Sequence, residues 1–132
     1  MALNFPDTGE NLSLEMITNK TAPQNLVLRL YQNNITPSDT DTAGTYTEAT
    51  FTGYAAITLT GANWNAASAG TITYNAQQTF TCSGASSNNI YGYYVTQATS
   101  GILLYSERDA SAPFAIANTG DAVKITPTIS AN

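Results

Sequence analysis

The sequence predicts an all-β fold: a single-domain antiparallel β-sandwich, jelly-roll-like, led by a short N-terminal arm or helix. Three observations predict it. Only 10% of the 132 residues are charged and none is histidine, against about 25% charged in ordinary soluble domains. Threonine, serine, asparagine and tyrosine take their place, and Thr and Tyr suit a pleated, half-buried surface. Short apolar or alternating runs recur between Gly- and Asn-bearing breaks, the pattern of a sandwich or small barrel.

Residues 1–20 are set apart as an N-terminal arm, and residues 21–132 as the β-sandwich domain. In the arm, Leu12, Met16 and the flanking Ile17 fall near helical spacing, which allows one or two turns. A helix so short needs a surface to pack on, its own domain's or a neighbour's. Leu12, Leu14, Met16 and Ile17 are therefore candidate neighbour-binding residues. Thr21-Ala22-Pro23 ends the segment, because proline disfavours helical geometry at the residue before it.

Asn25 to Tyr31 reads as the strongest strand, apolar on both parities except at Arg29, which belongs at an edge or beside a carboxylate. A polar loop from Gln32 to Gly44 follows, then expected strands at Thr45–Phe51, Tyr54–Thr60, Thr71–Asn75 and Gln78–Cys82. Ser83 to Asn89 reads as a loop. Ile90–Thr96, Ile102–Glu107 and Ala122–Ile125 complete the set, with a weaker piece at Phe114–Ala117. About eight or nine strands result, a count that suits a jelly roll.

The bulk numbers exclude several functions. Nine acidic against four basic residues give a net charge of −5, which opposes binding to nucleic acid or to an anionic membrane. Arg29, Arg108, Lys20 and Lys124 form no basic stripe. No run approaches the ~20 apolar residues that cross a bilayer. The opening Met1 to Asp7 lacks the basic and apolar regions of a signal peptide. Cys82 is the single cysteine. It reads as a small buried hydrophobe, and a chain without disulfides suits a reducing cytosol.

Catalytic and metal chemistry find little support. Asp39-Thr40-Asp41-Thr42-Ala43-Gly44 resembles the start of a calcium loop, yet Ala43 and Thr50 stand where further oxygen ligands belong. No metal and no cofactor is expected. Glu107 and Asp109 share one face of a strand about 7 Å apart, a spacing as ordinary for surface acids as for a glycosidase pair. No catalytic residue is assigned.

The remaining candidates are interface residues. Alternation puts Tyr91, Tyr93 and Val95 on one face and Gly92 and Tyr94 on the other. Tyr94 is expected to be exposed beside Gly92, where a partner could approach. Trp64, after a Gly-Ala-Asn turn, is a sugar platform or a plug at the sandwich end. Glu107 and Arg108 are candidates for a subunit contact.

The strings Asn19-Lys20-Thr21-Ala22-Pro23-Gln24-Asn25-Leu26-Val27-Leu28-Arg29-Leu30-Tyr31 and Asn33-Asn34-Ile35-Thr36-Pro37 resemble a group of small tailed-bacteriophage virion structural proteins, common in phages of aquatic bacteria. Gly53-Tyr54-Ala55, Leu59-Thr60-Gly61-Ala62-Asn63-Trp64, Tyr91-Gly92-Tyr93-Tyr94-Val95 and Gly120-Asp121-Ala122-Val123-Lys124-Ile125-Thr126-Pro127 extend the resemblance over nearly the whole chain. It implies a head-decoration (cement) protein that binds the major capsid protein on the capsid surface after assembly in the host cytoplasm. It also implies a homotrimer. A tail or fibre component, or a carbohydrate-binding module using Tyr94 and Trp64, is the alternative.

Overall fold

A computed structural model describes residues 3–131. Met1 and Ala2, the start of the expected arm, lie outside the described residues, as does Asn132.

The chain is built mostly of antiparallel strands, with a single helix of more than one turn among the described residues. That helix, α1, spans Asp7–Ile17. The strands are β1 (Leu26–Tyr31), β2 (Ile57–Leu59), β3 (Thr71–Thr73), β4 (Gln78–Thr81) and β5 (Asn88–Ile90). They continue as β6 (Gly92–Gln97), β7 (Leu103–Arg108), β8 (Phe114–Ile116), β9 (Ala122–Ile125) and β10 (Thr128–Ser130).

One sheet has four strands in the order β2-β1-β6-β7, and three ribbons pair β3 with β10, β4 with β9 and β5 with β8. The pairings nest: β6–β7 lies inside β5–β8, which lies inside β4–β9 and then β3–β10. Residues 71–97 thus run out and residues 103–130 return beside them, as one long hairpin interrupted at its corners.

The sheet is buried on both faces, which is why β1 and β6 are apolar on both parities. Leu28 and Leu30 of β1 stand opposite Val95 and Tyr93 of β6, and Tyr105 of β7 stands opposite Val95. These residues form the larger core with Phe80, Ile90 and Ile116 of the ribbons. On the other face, Tyr31, Tyr94 and Leu103 pack with Tyr46 from the long loop.

Several expected strands are shorter than read, and one is divided. Thr45–Phe51 forms only a bridge between Glu48 and Tyr31. β2 occupies the edge of β1 at Leu26–Leu28, leaving only its end, where Ala49 N–H bonds the Leu30 carbonyl. Side chains satisfy three further amides of this segment and its flank. Asn33, Asn88 and Ser86 accept from the N–H of Thr47, Thr50 and Thr52. The run Ile90–Thr96 breaks at Tyr91, where the chain leaves the β5–β8 ribbon and enters the four-stranded sheet. β10 is an unanticipated strand, three residues placed just after Pro127.

The separation of residues 1–20 from the domain requires correction, because α1 is part of the core. Thr8 Oγ1 donates to the Leu103 carbonyl at 3.1 Å, and Gly9 lies against the backbone of Leu104 with no room for a Cβ. Asn4 forms a bridge with Ser106 at the outer edge of β7. The helix is also longer than expected, at 11 residues. Asn19, at φ 59°, turns the chain just beyond its end, and the N–H of Lys20 closes onto the Glu15 carbonyl.

Candidate functional site

The candidate residues fall into four places. On α1, Leu12 is 4% exposed and belongs to the larger core. It is therefore a packing residue and not a neighbour-binding one. Met16 is half-buried against the same core. Leu14 and Ile17, at 62% and 80% exposure, point outward from a helix whose opposite side is held by Gly9, Leu12 and Thr8. Three residues apart, they share one helical face. Of the four arm candidates, these two are the exposed ones.

Tyr94 occupies the second place, in the interior. It is 4% exposed, which corrects the expectation of a free ring beside Gly92. The space at Gly92 is taken by the chain itself: a Cβ there would meet the Glu107 carbonyl and, at 2.8 Å, the Tyr31 ring. Tyr94 stacks on Tyr46 at 4.9 Å between centroids and 15° between planes. The Tyr46 hydroxyl donates to Asp41 Oδ2 at 2.7 Å and lies 2.8 Å from Ser106 Oγ. Asp41, the second acid of the calcium-like string, is thus turned inward, and it also accepts from the Ser38 N–H. Burial pushes the phenols of Tyr31 and Tyr94 up to about 12, because the charged form is poorly solvated there.

Beside this cluster, Arg29 meets Glu48, with Nη1 2.8 Å from Oε2, and Tyr54 donates to the same carboxylate at 3.2 Å. The pairing of Arg29 with a carboxylate is one of the two arrangements its place in the sequence allowed. Cys82 is buried, its thiol 2.9 Å from the Gly84 carbonyl.

The third place brings Trp64 and Met16 together. Trp64 is half-buried, edge-on to Tyr74 at 5.2 Å. It lines an open groove of about 310 Å³ with Phe5, Met16, Leu26 and Ile129. The groove walls are predominantly apolar, which suits the plug reading better than an isolated platform.

The fourth place gathers Tyr93, Glu107 and Arg108 at one end of the larger core. Tyr93 donates to Glu107 Oε1 at 2.9 Å, and its ring stands edge-on to Tyr105 at 6.2 Å. Burial raises the Tyr93 phenol, and the charges of Tyr105 and Glu107 raise it further. Arg108 donates to the Ile35 carbonyl at 2.9 Å and lies over the Tyr91 ring at 5.2 Å. Asp109 does not continue the strand pair; its carboxylate accepts from the Ser111 N–H. Around Glu107 opens a cleft of about 450 Å³ whose walls also include Phe114, Lys124 and Thr126. Those three were not singled out from the sequence, since Phe114 of β8, Lys124 of β9 and Thr126 just beyond β9 are brought beside β7 only by the ribbon pairing.

Among the described residues no helix is long and apolar enough to cross a membrane. No protein-family model matches the chain, and no curated protein matches it.

Proposed function

We propose that this chain is a non-enzymatic virion protein of a tailed bacteriophage, a head-decoration (cement) protein that binds the major capsid protein lattice as a homotrimer and stabilises the head. The observation that carries this reading is the outward pair Leu14 and Ile17 on a helix fixed in the core by Leu12 and Gly9. Apolar side chains held rigidly in water favour burial against another surface, and a pre-ordered helix loses little entropy on docking. The charge-poor exterior supports the reading, because desolvating few charges makes lattice packing less costly. The sequence strings that resemble phage structural proteins supply the identity of the lattice. Localisation on the capsid surface follows from the same reading, as does independence from nucleic acid, membrane, metal or cofactor. A tail or fibre position is the alternative.

Co-sedimentation with shells of the major capsid protein from the same phage tests the proposal. The native chain is expected to pellet with the shells, in multiples of three per local threefold site. The double variant Leu14→Ser, Ile17→Ser is expected to lose most of that binding while keeping its fold. Failure of the native chain to pellet, or full binding by the variant, would contradict the proposal.

A further inference from the structure

We propose that the cleft at the end of the larger core binds a neutral saccharide, one sugar ring lying on Phe114 with its hydroxyls held by Glu107 and the free edge of β9. This inference is independent of capsid attachment, and it moves glycan recognition away from Tyr94 and Trp64.

The platform is Phe114, 45% exposed although Ile116, two residues on and on the same face of β8, is buried. The row of core residues therefore ends in a ring that emerges into the cleft. An uncovered aromatic face in a concavity suits the C–H face of a pyranose, which is apolar while its rim is polar.

The polar groups stand around that ring. Glu107 lies opposite Tyr93 in the β6–β7 register, and the phenol holds one carboxylate oxygen. Its other oxygen has no hydrogen bond or ion pair among the described residues, so it is an oriented acceptor. Among the described residues β9 pairs with β4 on one side only, and all of its residues line the cleft. An unpaired strand edge presents N–H and C=O groups alternately. Sugar hydroxyls both donate and accept, so a donor-and-acceptor edge facing a carboxylate matches them.

Charge and size narrow the class. Glu107 and Asp109 are balanced by Arg108 and Lys124 among the lining residues, which favours a neutral ligand over a phosphate or a cation. The volume, about 450 Å³, falls in the range of roughly 300–1,000 Å³ in which proteins hold small ligands. An adjoining hollow shares Tyr93, Glu107 and Thr126 and adds Glu10, Asp39, Thr128 and Ser130, giving a polar path, rich in carboxylate and hydroxyl acceptors, for a second ring. An added peptide strand is less suited, since β9 is four residues long and is followed closely by Pro127, which has no N–H.

Titration of the isotope-labelled chain with maltose, lactose, mannobiose and chitobiose, followed by amide chemical shifts, tests the proposal. At least one disaccharide is expected to shift the amides of Phe114, Glu107 and Ala122 to Thr126. Phe114→Ala and Glu107→Gln are each expected to weaken that binding about tenfold, the scale of a lost aromatic contact or charge-assisted bond. Trp64→Ala should leave it unchanged. Absence of shifts with all four sugars, shifts centred on Trp64, or undiminished affinity in folded Phe114→Ala would overturn the proposal. The capsid assignment would stand in each case.

Discussion

Tyr46 illustrates how single residues fasten this protein. Its ring covers Tyr94 and Tyr31, and its hydroxyl ties Asp41 of the long loop to Ser106 of the sheet. The second face of the sheet is thus closed mainly by phenols, with Leu103 among them, and the fold is expected to be sensitive to alkali. Burial pushes the Tyr31 and Tyr94 phenols from an ordinary value of 10.0 up to about 12 in the folded chain. A folded-state value above the unfolded one means that the neutral phenols stabilise the fold fully below about pH 10. That contribution is lost as pH rises through about 12. Unfolding by circular dichroism is therefore expected to begin within this window and to coincide with the rise of tyrosinate absorbance. Ionisation of Tyr31 and Tyr94 near pH 10 with the circular dichroism unchanged would contradict the packing described. Alternation along the sequence was sufficient to separate Tyr93 and Val95 from Tyr94. It could not show that Tyr94 is covered, because the cover arrives from a loop about fifty residues earlier.

At the scale of elements, α1 decides between an arm and a wall. Leu12→Ala is expected to destabilise the domain by about 2–5 kcal/mol, the cost of emptying a core leucine site. Leu14→Ser and Ile17→Ser should each stay within about 0.5 kcal/mol of the native chain. Urea unfolding followed by fluorescence measures all three, and equal small effects would return α1 to the status of a detachable arm. Helical spacing revealed the element but not its partner, since Leu12 and Leu14 are equally apolar as letters. The strands show a similar limit. β1, β7 and β9 were legible from their own residues, whereas Thr45–Phe51 lost its ladder to competition for the edge of β1. Asn33, Ser86 and Asn88 explain why the composition is amide- and hydroxyl-rich: they bond loop amides where no strand is available. For the cleft, Glu107 and Tyr93 could be found in sequence. Phe114 and β9 could not, because their nearness depends on the nesting of β5–β8 and β4–β9.

For the molecule as a whole, the nested pairing places residues 71 and 130 side by side, and both faces of the sheet are sealed. Such an architecture leaves function to the exterior: an apolar pair on α1, a cleft at the end of the core, and few charges between them. The proposed decoration of a capsid would use that exterior as a binding surface, and the packed interior as reinforcement of the shell. Electron cryo-microscopy of the proposed parent phage is the decisive measurement. Density for the protein is expected over the capsid lattice at local threefold positions, with α1 turned towards the major capsid protein. Density for it confined to the tail, or none in the virion, would rule out capsid decoration.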